Sequence, residues 1–314
     1  MTKQIFIHCV AISVAALALA SCGDGGSSPV ASTPPPPPAP PPPPPPPTFT
    51  TWSAIPAPGS IAVNGVSQEV TYTASTTAVV TVSPYSGLLA TTYTPTIDAS
   101  RAITDIVIKN SNRTITFSKS AGDSFQRFGN TSIITARNPS GSNVAVAVDP
   151  ALQGWDYQSF GVWITGAGTG SGSAGAVSVG AQTAGSAIPT TGSATFTGLL
   201  GGTYLDPAGG DHLVGANLTV NADFAGRSLA LSSSMTTDIS TGAAMPGLDL
   251  TGGLTYAAQT NTMTGTLSAA NGRLSGPATG YFFGPAAQEI GGIFSLSATS
   301  GLERFGGGFG GRRP

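Results

Sequence analysis

Ala216-Asn217-Leu218-Thr219-Val220-Asn221-Ala222-Asp223-Phe224 alternates apolar and polar residues without a break. Side chains in an extended chain point to opposite faces in turn, so one face of this stretch is greasy and the other wet. That is the signature of a β-strand with one side on a core. The same reading extends outward in both directions. Runs at 157–165, 176–182, 193–205, 227–236, 247–256, 262–269, 273–283 and 291–298 are β-prone. Nearly every gap between them holds Gly, Asn, Asp or Pro, the residues that turns select. Glycines inside strands, such as Gly198 and Gly265, suit the tight bends of a small barrel. One helical turn is expected over 285–289, with Pro285 at its first position.

Composition supports the same class. Charged residues are only 8% of the 314-residue chain, against roughly a quarter in an ordinary globular protein. So uncharged a sheet would expose adhesive edges, and closing it into a barrel removes them. The net charge of −2 gives no basic surface, so no nucleic-acid partner is expected. The fold class expected is all-β: a β-barrel over 155–314, preceded by a first β-rich module over 48–150. In that module, strands are expected at 70–74, 78–82, 103–108 and 114–117. Gly65, Gly87, 110–112, Gly122 and 138–141 read as its turns.

The first 47 residues read differently. Lys3 precedes an uncharged apolar run from Ile5 to Leu19, too short for the ~20 residues of a spanning helix. It ends in Leu19-Ala20-Ser21-Cys22-Gly23. This is a secretory signal over 1–21, and its end resembles the lipobox of bacterial lipoproteins. In such proteins the chain is cut before the Cys, which then carries the acyl groups (palmitate among them). Cys22 would be the lipidation site and membrane anchor. The other cysteine, Cys9, lies in the removed segment, so no disulfide or cysteine metal site is expected. Residues 22–47 form the tether. Its 34–47 portion is proline throughout except Ala39, a polyproline II spacer of roughly 40 Å at ~3.1 Å per residue. A ligand for a proline-binding domain is its other reading.

The stretch from Gly280 through Tyr281, Phe282, Phe283, Gly284, Pro285, Ala286, Ala287, Gln288, Glu289, Ile290, Gly291, Gly292 and Ile293 to Phe294 is the most specific feature. It resembles the signature near the end of the barrel domain of the transferrin-binding protein B family. That family includes factor H binding protein-like and haemoprotein-binding surface lipoproteins. The segments 187–198 and 201–204 resemble the strands that open the same domain, and 157–163 its entry. Within the motif, Gly280, Phe283, Gly284, Pro285, Ala287, Glu289, Gly291, Gly292 and Phe294 are structural. Gly284-Pro285 ends a strand, Glu289 accepts backbone N–H groups, Gly291-Gly292 frees the chain to re-enter the sheet, and Phe294 fills the interior.

The resemblance implies an all-β fold, an eight-stranded antiparallel β-barrel over 155–314 preceded by a smaller β handle domain over 48–150. It also implies a lipoprotein of the cell outer membrane, displayed on its surface and binding a protein or a small solute for nutrient acquisition. Haem or an iron-carrying protein is among the ligands it suggests, and a surface-export translocon or an outer-membrane transporter among the partners. The alternative is a structural or environment-interaction lipoprotein with no transported ligand. Enzyme readings fare poorly. His212 is the lone histidine outside the signal, and no Gly-x-Ser-x-Gly elbow occurs. The pattern at 170–175 fits a nucleotide loop only in spacing. Asp206 and Asp211 are too few for calcium, so no metal site and no cofactor are expected. If haem bound, His212, Tyr204, Tyr256 or Tyr281 would supply the axial ligand. Met235, Met245 and Met263 read as barrel filling. Binding loops are expected at 166–175, 207–214 and 238–246, with Trp155 and Trp163 either at an interface or between the domains.

Overall fold

The computed structural model describes residues 48, 50–129 and 131–314. The signal, Cys22 and the proline spacer lie outside the described residues.

Two β assemblies follow one another. The first contains β1 (Gly59–Ser60), β2 (Val63–Ala74), β3 (Val79–Val82), β4 (Leu89–Ile97), β5 (Ile103–Lys109) and β6 (Thr114–Ser118). It continues with β7 (Ser124–Arg127), β8 (Ile133–Arg137), β9 (Val144–Val148), β10 (Gln158–Thr165) and β11 (Ser171–Gly180). Its strand order is β6-β5-β4-β2-β11-β10-β9-β8-β7, with β1 on β4 and β3 on β2. The end strands β6 and β7 do not pair. Even so, Phe117 of β6, Ala136 of β8 and Trp163 of β10 share one core, so the sheet curls round it. A bidentate Arg113–Glu69 pair, at 2.8 and 2.9 Å, ties the β5–β6 hairpin to β2. That pair and burial act in opposite senses on Glu69, and its pKa ends below the usual value.

The second assembly is a closed barrel. It comprises β12 (Ser193–Leu205), β13 (Asp211–Asp223), β14 (Ser228–Asp238), β15 (Leu250–Tyr256), β16 (Met263–Ala269), β17 (Ser275–Phe283), β18 (Glu289–Ser297) and β19 (Arg304–Arg312). Each strand is antiparallel to the next, and β19 closes the ring on β12. The alternation of 216–224 is realised: Ala216, Leu218, Val220, Ala222 and Phe224 are all buried in the barrel core. The fold is therefore all-β, with an eight-stranded antiparallel barrel. Its one α-helix among the described residues is the four-residue α1 (Pro150–Gln153).

Several expectations need correction. The barrel does not begin at Trp155. The hairpin β10–β11 pairs with β9 and β2, so it belongs to the handle sheet, and the barrel starts at Ser193. This hairpin is buried on both faces over much of its length and so reads like barrel strand. Residues 284–287 form a turn, not a helix, because Gly284 (φ 85°) and Ala287 (φ 57°) are both left-handed. Of that turn's two alanines, Ala287 enters the barrel core while Ala286 is exposed. Gly65 lies inside β2, where its backbone passes close to Val179. Strand β19 was not expected, since Phe305-Gly306-Gly307-Gly308-Phe309-Gly310-Gly311 offers too few side chains to show a pattern.

Those glycines have a structural purpose. Phe305 and Phe309 point into the barrel core. The intervening residues on the outer face carry the handle: a Cβ on Gly308 would lie 2.7 Å from the Phe160 ring, and one on Gly310 would lie 2.7 Å from that of Trp155. Gly306 lies likewise against Tyr85. Strand β10 rests directly on the barrel wall because the wall there has no side chains.

Candidate functional site

Three constructions surround the barrel: a lock at one end, a polar clasp at the other, and a cleft along the seam.

The lock is the motif. Glu289 opens β18 and is 0% exposed. Its carboxylate accepts the backbone N–H groups of Asp156 (2.7 Å), Tyr157 (3.0 Å) and Gln158 (3.1 Å), where the chain enters β10. Burial raises its pKa, while these amides and Arg312 pull the other way. Gly284 lies under the Tyr157 ring, and Gly291 beside the Gln158 side chain. Phe283 fits against Gly180. Inside the barrel, Phe294 meets Phe305 edge-on at 5.0 Å, and Gly280 and Gly292 make room for Phe309. Pro285 is exposed at the turn. Asn261 extends the lock: its side chain donates to the carbonyls of Thr183 and Phe282 and accepts the N–H of Phe282. Sequence reading missed Asn261 and Thr183, since an Asn in a hairpin turn carries no sign of a distant partner.

The clasp holds His212. This residue sits on β13 opposite Tyr204 rather than in a turn. Its Nδ1 lies 2.8 Å from Asp238 Oδ2 and its Nε2 3.5 Å from Asp206 Oδ2. Its pKa is raised, chiefly by the Asp238 hydrogen bond, against some desolvation and with help from Asp206. The imidazole stacks on Tyr204 at 5.8 Å. The Tyr204 hydroxyl donates to Glu303 at 2.8 Å, and Arg273 reaches the same carboxylate at 2.8 Å. Burial and Glu303 push the Tyr204 phenol up to about 12. The two aspartates also cap turns: Asp206 accepts from Ala208 and Gly210, and Asp238 from Ser240 and Thr241. Asp206 and Asp211 form no cation cage; among the described residues no group of three or more His, Cys, Asp or Glu is placed to hold a metal.

The cleft lies between the handle and the barrel's outer face, with a volume of about 420 Å³. Val146 and Val148 of β9 and Ile133 of β8 form one wall; Leu199, Leu213 and Ile239 form the other. Among the described residues, Asp238 is the one ionisable group lining it. Its rim carries two exposed apolar side chains, Phe128 (40%) on the handle and Met235 (73%) on the barrel. Met235 was expected inside the barrel. It instead occupies a bulge where the β13–β14 register shifts, at φ 59°, which turns it outward. Thr236 fixes the bulge through two hydrogen bonds to Asp249, at 3.0 and 2.6 Å. Met263 does fill the barrel, and Met245 packs at its edge. The expected loop 238–246 contributes Asp238, Ile239 and Gly242 to the cleft; of the expected loop 207–214 only Leu213 and Val214, which lie on β13, reach it.

The remaining candidates scatter. Trp163 is fully buried in the handle core, and Trp155 packs with Phe160 and Val148 at the seam. Tyr204 and Tyr256 lie in the barrel core, and Tyr281 is buried beside Phe283. None of these tyrosines, nor His212, lines the cleft.

Residues 188–313 match the family described as the C-lobe and N-lobe beta barrels of Tf-binding protein B. No curated protein matches the chain in sequence. Among solved structures, a mutant transferrin binding protein B from Haemophilus parasuis Hp5 is 12% identical, with 82% of this chain and 77% of that chain covered, at a TM-score of 0.43. One from Actinobacillus pleuropneumoniae H49 is 13% identical, covering 81% of this chain and all (100%) of that chain, at 0.43. A surface lipoprotein is 14% identical over 80% of this chain and 98% of that chain, at 0.44. These likenesses are loose in identity and superposition, and the assignment rests on the barrel match. The C-terminal barrel, residues 188–313, is of the transferrin-binding protein B type.

Proposed function

We propose that the protein is a lipid-anchored binding protein of the outer-membrane surface, which captures a protein partner or a small solute for nutrient acquisition and catalyses nothing. The seam cleft carries this reading. It is apolar and open, and it has exposed Phe128 and Met235 on its two banks. Methionine suits an adaptable contact surface, and aromatic anchors dominate binding energy. The barrel match supports it, since the matched barrels are those of a Tf-binding protein. The ionisable clusters support it too: Glu289 is committed to backbone N–H groups, Glu303 to Tyr204 and Arg273, and His212 to Asp238. Cys22 would hold the molecule in the membrane, and the proline run would keep the barrel clear of it.

The test is affinity capture with the mature lipoprotein, comparing wild type with Met235→Glu and Phe128→Glu. A bound partner or solute lost in both variants supports the reading. Capture indifferent to both moves binding away from the seam, and no capture at all favours a structural envelope protein. Separately, Cys22→Ser should release the protein in soluble form; retention in the membrane would refute the anchor.

A further inference from the structure

A second cavity opens at the barrel end that carries the 224–227 and 257–262 hairpins. It is about 260 Å³ in volume, lying between those turns and the 185–190 segment that leads into β12. Four observations set it apart from ordinary packing. Tyr256 lines it and is only 9% exposed, yet its hydroxyl has no hydrogen-bond partner. A buried hydroxyl without a partner is rare and calls for an explanation. Its ring is fixed edge-on against Phe282 at 5.7 Å, so the hydroxyl is held in place.

Arg227 lines the same cavity, and it forms none of the ion pairs or side-chain hydrogen bonds found among the described residues. The carboxylate in its own hairpin, Asp223, is engaged with the N–H of Gly226 at 3.0 Å. Arg227 also sits at φ 51° and Gln259, across the cavity, at φ 60°. Left-handed hairpin positions are usually given to Gly or Asn, so two long polar side chains are kept there against backbone preference. Finally, the walls are apolar: Ile188, Pro189 and Phe224. Tyr256 is tied to the charged hairpin by its backbone N–H, which donates to the Arg227 carbonyl at 3.2 Å; burial raises its phenol, with Arg227 opposing and Asp223 adding.

We propose that this cavity binds a small monocarboxylate with an apolar body, the carboxylate on Arg227 and the Tyr256 hydroxyl and the body against Ile188, Pro189 and Phe224. One cation and one neutral donor balance one negative charge, which suits a monoanion better than a phosphate. A volume under the ~300 Å³ of drug-sized sites limits the occupant to a compact acid. The site stands apart from the seam, so it does not depend on the seam being the partner's contact.

The probe is benzoate, titrated into the full mature chain by calorimetry and by chemical-shift mapping of the tyrosines. Saturable binding is expected, weakened about tenfold or more in Arg227→Gln and about fivefold in Tyr256→Phe, since each removes one hydrogen bond to a charged group. Both variants should melt with wild type, and Met235→Glu should bind benzoate normally. Three results would overturn the proposal: no saturable binding, binding indifferent to both substitutions, or equal affinity for benzyl alcohol. Equal affinity for inorganic phosphate would overturn the apolar carboxylate as the class.

Discussion

The handle and the barrel solve one problem in opposite ways. Both are antiparallel sheets with few charges. The barrel closes β19 on β12, so every strand has two neighbours and its core is complete within 188–313. The handle leaves β6 and β7 with one neighbour each and turns one face of β10 outward. That face, through Phe160 and Val162, finds its apolar partners on the barrel at Leu199 and Ile293. The barrel is thus self-sufficient, while the handle borrows a wall. Glycines and one buried carboxylate make the loan possible.

Breaking the carboxylate should have the largest effect. Glu289→Ala leaves one buried and two partly buried N–H groups without their acceptor and is expected to cost about 3 kcal/mol, read by chemical denaturation. The loss should appear first in Trp155 fluorescence at the seam, before barrel unfolding. A single transition with unchanged midpoint would show that the lock is dispensable.

Next comes the wall. Gly308→Val places methyl groups where the Phe160 ring already lies 2.7 Å from a Cβ, and overpacking of this kind costs about 1–3 kcal/mol. Gly201→Ala is the control, since there Phe160 is 3.7 Å away and the change should be nearly neutral. Equal effects at the two positions would mean the close approach is unimportant.

The smallest effect concerns the clasp. His212 has a pKa raised above 6.5 in the folded state, so its contribution is complete below pH 6.5. That contribution is lost as pH rises through the raised value. The site is partly open to solvent, so the loss should stay within about 1 kcal/mol. Melting temperature measured from pH 6 upward should decline slightly, and His212→Gln should flatten the decline. A melting temperature that rose over this range would contradict the His212–Asp238 bond.

The comparison also explains what could be read in advance. Strand Ser193–Leu205 was legible to the residue, and 216–224 gave the inward face correctly, because alternation is local. The hairpin at 158–180 was assigned to the wrong assembly. Burial on both faces looks the same whether a strand lies in a barrel or between two layers. Met235 was misplaced because a bulge is a matter of register, and register depends on the neighbouring strand. Of the cleft, the loop 238–246 and the end of 207–214 were foreseen; its other wall comes from β8 and β9, far earlier in the chain.

The sequence by itself determined an all-β chain with a barrel at its C-terminal end and a motif built around Glu289. Periodicity, turn residues and short-range chemistry suffice for that. Only the tertiary structure decided what Glu289 holds, why β19 is mostly glycine, that Met235 faces out, and that Tyr256 and Arg227 share a cavity. Each depends on which surfaces meet, and those meetings join residues tens to more than a hundred positions apart, a distance at which no local pattern carries information.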